Sequence, residues 1–231
     1  MTAEKITFWT SGADCCDPVW EAAYKRFETV GEERAKFRRR LVAIGVDRMP
    51  KNLRVADLFC GRGSNLFVLA EMGFSDISGV DLSPALLREF SGDAKLYVGD
   101  CRELKFPDAS LDLVIVQGGL HHLPEFPADL DKCFSEIRRV LAPNGIVVFV
   151  EPWTTPFLQL AHFCLKVGFF RRIYPKLDAL AVMTEHELTT YSTWLDHPRE
   201  VRALAEKYFE PVLDRAKLGK WYFLGKVKQA R

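Results

Sequence analysis

The sequence predicts an α/β fold in which helices cover a parallel sheet, and three observations carry that expectation. Short apolar runs alternate with helical patterns from Leu53 to Val150, and strands joined through helices return in the same direction. The first apolar run leads straight into a turn containing Gly61 and Gly63, the arrangement that lets backbone approach a ligand at a helix N-terminus. At the far end FEPVLDRAK and KWYFLGKV flank Leu218-Gly219, as in an antiparallel hairpin closing the sheet.

Taken in order, residues 18 to 45 form an N-terminal helical cap. Val19, Ala22, Ala23 and Phe27, then Phe37, Leu41 and Ile44, recur at helical spacing, with Gly31 as the expected break. LRVADLF is a short buried strand, and SNLFVLAEMG is a helix ended by Gly73. DISGVDL is the second strand, followed by Ser83 as N-cap and Pro84 at the first helical position, where a missing N–H costs nothing. AKLYVGD and LDLVIVQ are the third and fourth strands. Leu130, Phe134, Ile137 and Leu141 mark a helix that stops before Pro143-Asn144-Gly145, and IVVFV is the fifth strand. Residues 153 to 205 lose the strand rhythm and read as a helical insert lying over the active edge like a lid. The chain reads as a single domain: cap 1–50, core 51–152, insert 153–205 and hairpin 206–231.

Composition bounds the function. Hydrophobic residues make up 48% and charged residues 27% of the 231, near globular averages, which excludes disordered and low-complexity architectures. Lys+Arg 32 against Asp+Glu 31 leaves a net charge of +1, so no nucleic-acid partner is expected. The N-terminus lacks a basic, then apolar, leader, which points to a cytoplasmic protein. The longest apolar candidate, Trp153 to Phe170, is interrupted by Pro156, His162 and Lys166, so no membrane span is expected. The six cysteines, Cys15, Cys16, Cys60, Cys101, Cys133 and Cys164, show no CxxC spacing; they read as reduced core thiols, and no metal site is expected.

Three acidic positions line one sheet edge. Asp57 precedes the glycine turn, Asp81 ends the second strand 18 residues after Gly63, and Asp100 ends the third. A carboxylate at the second position reaches ribose hydroxyls in nucleotide-binding α/β folds, and one at the third can accept from an exocyclic amine such as that of adenine. A dinucleotide fits poorly: Leu66 stands where the third fingerprint glycine belongs, and Asp57 would face the pyrophosphate. A ligand carrying an ammonium, a carboxylate and a sulfonium fits better, with Asp57 attracting the ammonium and the turn amides receiving the carboxylate. S-adenosylmethionine is that ligand.

The motifs VADLFCGRGSN, GVDLSPALL, VGDCRELKFPDASLDLVIVQGGLHHL and EIRRVLAPNGIVVFVEP occur in the order found in class I S-adenosylmethionine-dependent methyltransferases, which the chain resembles over residues 51 to 152. The resemblance implies a Rossmann-like seven-stranded sheet of order 3-2-1-4-5-7-6 with the last strand antiparallel, in agreement with the hairpin. It implies that Asp57, Gly61 and Gly63 form the methionine-binding turn. Asp81, with Leu82 beside it, would hold the ribose diol, Asp100 and the Cys101 backbone would read adenine, and Gln117 would lie near the sulfonium. Phe59 stands where the family usually has its first glycine, so the turn is expected to be shaped differently without losing the ligand.

Gln117-Gly118-Gly119-Leu120-His121-His122 follows the fourth strand, where the transferred methyl would face its acceptor. A histidine titrates near neutrality and can take a proton from an attacking hydroxyl; His122 is favoured over His121 as that base, with loop packing as the competing role. Glu151 and Trp153 follow the fifth strand and are candidates to orient the acceptor, against plain roles as a strand end and a packed ring. Trp20, Tyr24 and Phe27 share a helical stripe that reads first as core, and second as an aromatic closure of the pocket. The run Arg34 to Arg40 reads as a solvated face, its alternative being contact with a phosphate-bearing partner. Tyr191, Trp194 and His197 in the insert are further candidates for the acceptor pocket.

The leading reading is thus a methyltransferase acting on a hydroxyl, or an amine, of a small molecule, with S-adenosylhomocysteine as product. A nucleic-acid (RNA) methyltransferase is the alternative within enzymes, although no Asp/Asn-Pro-Pro-Tyr motif and no Pro-Cys pair is present. A non-catalytic cofactor-binding partner protein is the alternative outside them, and an oxidoreductase on the same fold is a distant fourth. The acceptor's identity and the oligomeric state are not legible.

Overall fold

The computed structural model describes residues 6–12, 18–166, 174–186 and 188–228. Cys15 and Cys16 lie outside these residues, as do the side chain of Cys164 and the end of the apolar run at 167–170. Cys60, Cys101 and Cys133 are reduced and buried.

After a short strand β1 (Ile6–Phe8) come α1 (Pro18–Phe27) and α2 (Val30–Ile44). The break between these helices falls at Glu28-Thr29, not at Gly31, which lies inside α2. The reason is a capping box: Thr29 Oγ1 accepts from the Glu32 amide at 3.3 Å, and Glu32 Oε2 accepts from the Thr29 amide at 3.0 Å. The core follows as β2 (Arg54–Leu58), α3 (Ser64–Glu71), β3 (Asp76–Asp81), α4 (Pro84–Leu87), β4 (Lys95–Val98), β5 (Leu111–Gln117), α5 (Ala128–Val140) and β6 (Leu141–Pro152). Strand β6 starts before Pro143-Asn144-Gly145, earlier than the sequence pattern indicates, because Leu141 pairs with Leu111 ahead of a register shift. Helices α6 (Pro156–Lys166), α7 (Pro175–His186), α8 (Leu188–Asp196) and α9 (Pro198–Tyr208) then lead to β7 (Phe209–Lys217) and β8 (Lys220–Val227).

The sheet order is β1-β4-β3-β2-β5-β6-β8-β7. Seven of these strands stand in the expected order 3-2-1-4-5-7-6, with β8 antiparallel to β6 and β7, and β1 adds an eighth, parallel to β4 at the edge. Both faces are covered, so the strands are continuously apolar. On β5, Leu113 and Ile115 pack on one face with Leu41, Leu66 and Leu69, while Val114 and Val116 pack on the other with Phe134, Ile137 and Val201. The hairpin turn uses Leu218 and Gly219 with φ of 49° and 75°, the left-handed pair that suits the twist of a two-residue connection. Among the described residues no helix is long and apolar enough to cross a membrane.

Candidate active site

The carboxyl ends of β2 to β6 open on a cavity of about 850 Å³, inside the ~300–1,000 Å³ range of small-molecule sites. Its lower wall is the turn after β2. Phe59 adopts a φ of 57° and Gly61 one of 53°, so a non-glycine residue occupies the left-handed region where the turn demands it. The Phe59 ring has room only because Gly119 faces it: a Cβ on Gly119 would lie 2.3 Å from Phe59 Cγ. Gly119→Ala is therefore expected to lower the unfolding free energy by about 1–3 kcal/mol, and adding Phe59→Gly should recover most of the loss, as read by Tm. Equal Tm for Gly119→Ala and the wild type would show that this contact is not tight. A Cβ on Gly61 would meet nothing within 4 Å, so this backbone lies open to the cavity.

Asp57, at the end of β2, is 2% exposed. Its Oδ1 accepts from Asn65 Nδ2 at 2.8 Å, and Asn65 Oδ1 accepts from Gln117 Nε2 at 2.9 Å. The remaining oxygens of this chain, Asp57 Oδ2 and Gln117 Oε1, are buried with no hydrogen-bond partner among the described residues. Two buried acceptors lacking donors, both tied to one asparagine, suit a ligand ammonium. Burial, with help from Asp81 and Glu33 and against the Asn65 hydrogen bond, pushes the Asp57 carboxyl up to about 8. The folded protein thus binds this proton more tightly than the unfolded chain does, so without ligand its stability falls as pH rises from about 4 to about 8. Asp57→Asn is expected to flatten that part of a Tm-against-pH curve and to weaken binding of an ammonium-bearing ligand. An unaltered slope would mean that Asp57 ionises normally.

Asp81 Oδ2 accepts from the Gly61 amide at 2.8 Å and Oδ1 from the Ser83 amide at 2.9 Å. Those bonds orient the carboxylate along the cavity wall beside Leu82, and each oxygen can accept a further hydroxyl. Burial raises the Asp81 carboxyl despite these amides. Asp100 also lines the cavity, but Arg102 grips both its oxygens and reaches Asp129 Oδ2 at 2.7 Å as well. Burial opposes ionisation of Asp100, and Arg102 outweighs it, holding the carboxyl below its usual range. Any reading of a base amine there is by a carboxylate already paired. Cys101 is buried, its thiol against Cys133.

The loop after β5 is built around Glu151. It is fully buried, and Oε1 accepts from the amides of Gly118, Gly119 and Leu120 at 3.1, 2.9 and 3.1 Å. Oε2 lies 2.8 Å from His121 Nδ1. This carboxylate shapes the loop and orients a histidine; it does not line the cavity, so the structure gives it a positioning role in place of the expected substrate contact. Trp153 is also displaced from the expected role: it packs in the core, stacked on Trp221 at 5.0 Å. Trp194 is buried with its Nε1 donating to Pro152 O at 2.8 Å, and His197 lies against Phe126. Neither borders the cavity. Among the insert candidates Tyr191 does, with its hydroxyl 3.2 Å from His162 Nε2.

Both His121 and His122 border the cavity, ring centroids 4.1 Å apart. Burial, and then the neighbouring His121, push His122 well below its ordinary value, so it stays neutral. Trp20, Tyr24 and Phe27 all line the cavity, and the core-packing expectation for that stripe gives way to the pocket-closing one. Tyr24 stacks on Trp20 at 5.1 Å and donates to Glu33 Oε1; burial, then Glu33, raise its hydroxyl pKa.

Two residues of this site escaped the sequence reading. Asn65 was hidden inside a helix start, and only its place beside the Asp57 acceptor reveals it. Glu33 sits in the cap at 4% exposure, accepting from Ser64 Oγ at 2.6 Å and Arg62 Nε at 2.9 Å. Burial would raise this carboxyl, but Ser64, Tyr24 and Arg62 outweigh it and hold it low. It ties α2 to the glycine turn. No group of three metal-ligating side chains occurs among the described residues.

Residues 56–149 match the family described as Methyltransferase domain. The chain is 30% identical over 153 residues to a demethylmenaquinone methyltransferase of Thermus thermophilus, covering 63% of this chain and 66% of that protein. It is 32% identical over 155 residues to the protein of the same name from Staphylococcus aureus, covering 62% and 61%. The chain thus matches just under two thirds of the length of these relatives. The crystal structure of a Pyrococcus horikoshii protein superposes with a TM-score of 0.69 over 92% of this chain and 100% of that one, at 21% identity, which is a likeness of fold.

Proposed function

Because this chain belongs to the class I S-adenosylmethionine-dependent methyltransferases, we propose that it methylates a hydroxyl, or failing that an amine, of a small ring-bearing molecule, with His121 as general base. The observation that carries this reading is His121 on the cavity wall, held from behind by Glu151, with Gln117 on the same wall and its Oε1, like Asp57 Oδ2 behind it, lacking a donor among the described residues. When bound, S-adenosylmethionine supplies an electrophilic methyl group. Asp57 and Gln117 would hold its ammonium, Asp81 its ribose hydroxyls, and the wall at Asp100-Cys101 its base.

On the acceptor side His121 donates Nδ1–H to Glu151, which leaves the lone pair on Nε2 to take the acceptor's proton. The preference for His122 therefore passes to His121: burial makes His122 a poor holder of a proton, whereas the Glu151 carboxylate lies against His121 Nδ1. Phe27, Phe37, Phe157, Leu177, Leu180 and Met183 also border the cavity, and such a wall suits an apolar or ring-bearing body. The relatives named for demethylmenaquinone support a small-molecule acceptor of that kind. We assign the insert helices α6 and α7 as the lid over the acceptor.

Titration calorimetry with S-adenosylmethionine and S-adenosylhomocysteine, followed by transfer of labelled methyl to a panel of phenols and hydroxyquinones, tests the proposal. Uptake of both ligands with label appearing on a hydroxylated ring is the expected result. Folded protein that takes up neither ligand would overturn it.

A further inference from the structure

Besides Lys25, Arg62 and Arg102, three cations border the cavity where α2 meets β8: Lys36 and Arg40 on α2, and Lys220 at the start of β8. The sequence placed the first two in a solvated run, but the helix divides that run. Arg34 stacks over Phe67 at 3.7 Å and Arg38 pairs with Glu71 outside, while Lys36 and Arg40, one turn apart, turn inward. Lys220 joins them because β8 pairs antiparallel with β6, setting Lys220 opposite Pro152 at the carboxyl end of β6.

The charge accounting at this end does not close. Lys36 is paired with Glu28. Glu151, the other carboxylate whose field reaches Arg40 and Lys220, has its oxygens engaged by three amides and His121. Among the described residues no carboxylate lies within ion-pair distance of Arg40 or Lys220, and no hydrogen bond engages either side chain. Burial, then Arg40, lower the Lys220 ammonium to about 7, the behaviour of a cation held near other cations without a counter-ion. Phe37, Phe157, Leu158 and Leu218 also border the cavity, so apolar side chains flank the two cations. Both residues are half-buried, and an anion entering the cavity would meet two cations that no carboxylate neutralises.

We propose that Arg40 and Lys220 form an anion subsite that recognises a carboxylate or phosphate group on the methyl acceptor. This rests on the reading of the cavity as a methyltransferase site and narrows it to acceptors with a hydroxyl near His121, an apolar body, and an anionic end at α2 and β8. Arg40 presents a planar fork suited to either oxyanion, and Lys220 adds a point charge. Lys36, already committed to Glu28, contributes field more than contact.

The test measures binding of small probes to protein saturated with S-adenosylhomocysteine: benzoate and phenyl phosphate as anions, benzamide and benzyl alcohol as neutral counterparts. Thermal shift and calorimetry are run on the wild type, Arg40→Gln, Lys220→Gln and the outward-facing control Arg38→Gln. At least one anion should bind saturably and more tightly than its neutral counterpart. Each inward variant should weaken it about 10- to 100-fold, as for loss of a charge-assisted hydrogen bond, and the control should not. Preference for benzoate or for phenyl phosphate tells carboxylate from phosphate. Neutral probes binding as well as the anions, no anion binding at all, or undiminished binding in Arg40→Gln and Lys220→Gln would each overturn the subsite. S-adenosylhomocysteine affinity, measured separately, should be unchanged in the variants. Its absence in the wild type would overturn the cofactor reading, while the anion titrations, repeated without it, would still judge the subsite.

Discussion

Protein carrying His121→Ala and His122→Ala together is expected to bind S-adenosylhomocysteine like the wild type and to lose about 10²- to 10⁴-fold in kcat, the usual worth of a positioned general base. Cofactor affinity should hold because the acceptors assigned to it, on Asp57, Asp81 and Gln117, lie at the ends of β2, β3 and β5, ahead of the loop that carries the two histidines. The single variants should divide unequally. His121→Ala is expected to account for most of the loss, since His121 has the 2.8 Å contact to Glu151 Oε2 that fixes its tautomer. His122→Ala should cost less, as a neutral ring packed near Trp20. The measurement is kcat and KM on any acceptor found to be methylated, beside calorimetry of the same samples. Full turnover by the folded double variant would remove histidine from the chemistry.

Glu151→Ala should be among the most damaging single changes in the chain. It strips the acceptor from three amides and leaves His121 without its partner, in a place with no exposure. A buried donor left unsatisfied costs about 1–3 kcal/mol, and the four losses are not additive. A total of about 3–5 kcal/mol is a large part of the ~5–15 kcal/mol that holds a domain folded. Tm should fall by many degrees, or the protein should fail to accumulate. Glu151→Gln separates shape from chemistry. Its amide oxygen can still serve the three N–H groups, but its NH2 would donate to His121 Nδ1 and move the imidazole proton to Nε2. Near-normal Tm with kcat down about 10²-fold or more is expected. Normal turnover in Glu151→Gln would show that the carboxylate only supports the loop.

The core strands were legible because their signals are local. A strand covered on both faces is an uninterrupted apolar run, and LDLVIVQ coincides with β5 at both ends. Ser83 and Pro84 began α4 where the capping pattern puts them. Errors came where two local signals compete. Gly31 looked like a helix break, but the Thr29–Glu32 capping box had already started the helix. Side-chain direction was the harder matter. Trp153 and Glu151 follow a strand at the active edge, which is compatible with facing acceptor, loop or core; contacts with Trp221 and with the loop amides decide it. Lys36 and Arg40 read as surface because a charged run on a helix usually is, and only the packing of α2 against the sheet turns them toward the cavity.

Residue order alone therefore established the doubly covered parallel sheet, its closing hairpin, and the glycine turn and three carboxylates near one sheet edge on which the proposed adenosyl site rests. Those features depend on neighbours close in the chain: period, caps, and the left-handed backbone that glycine permits. Folding in three dimensions assigned the roles. It buried Glu151 under three amides, brought Asn65 between Asp57 and Gln117, tied Glu33 to the turn, and set Arg40 beside Lys220 across about 180 residues of chain. A charge or hydrogen bond takes its meaning from what it touches, and contacts between distant segments exist only once the sheet has set strand beside strand.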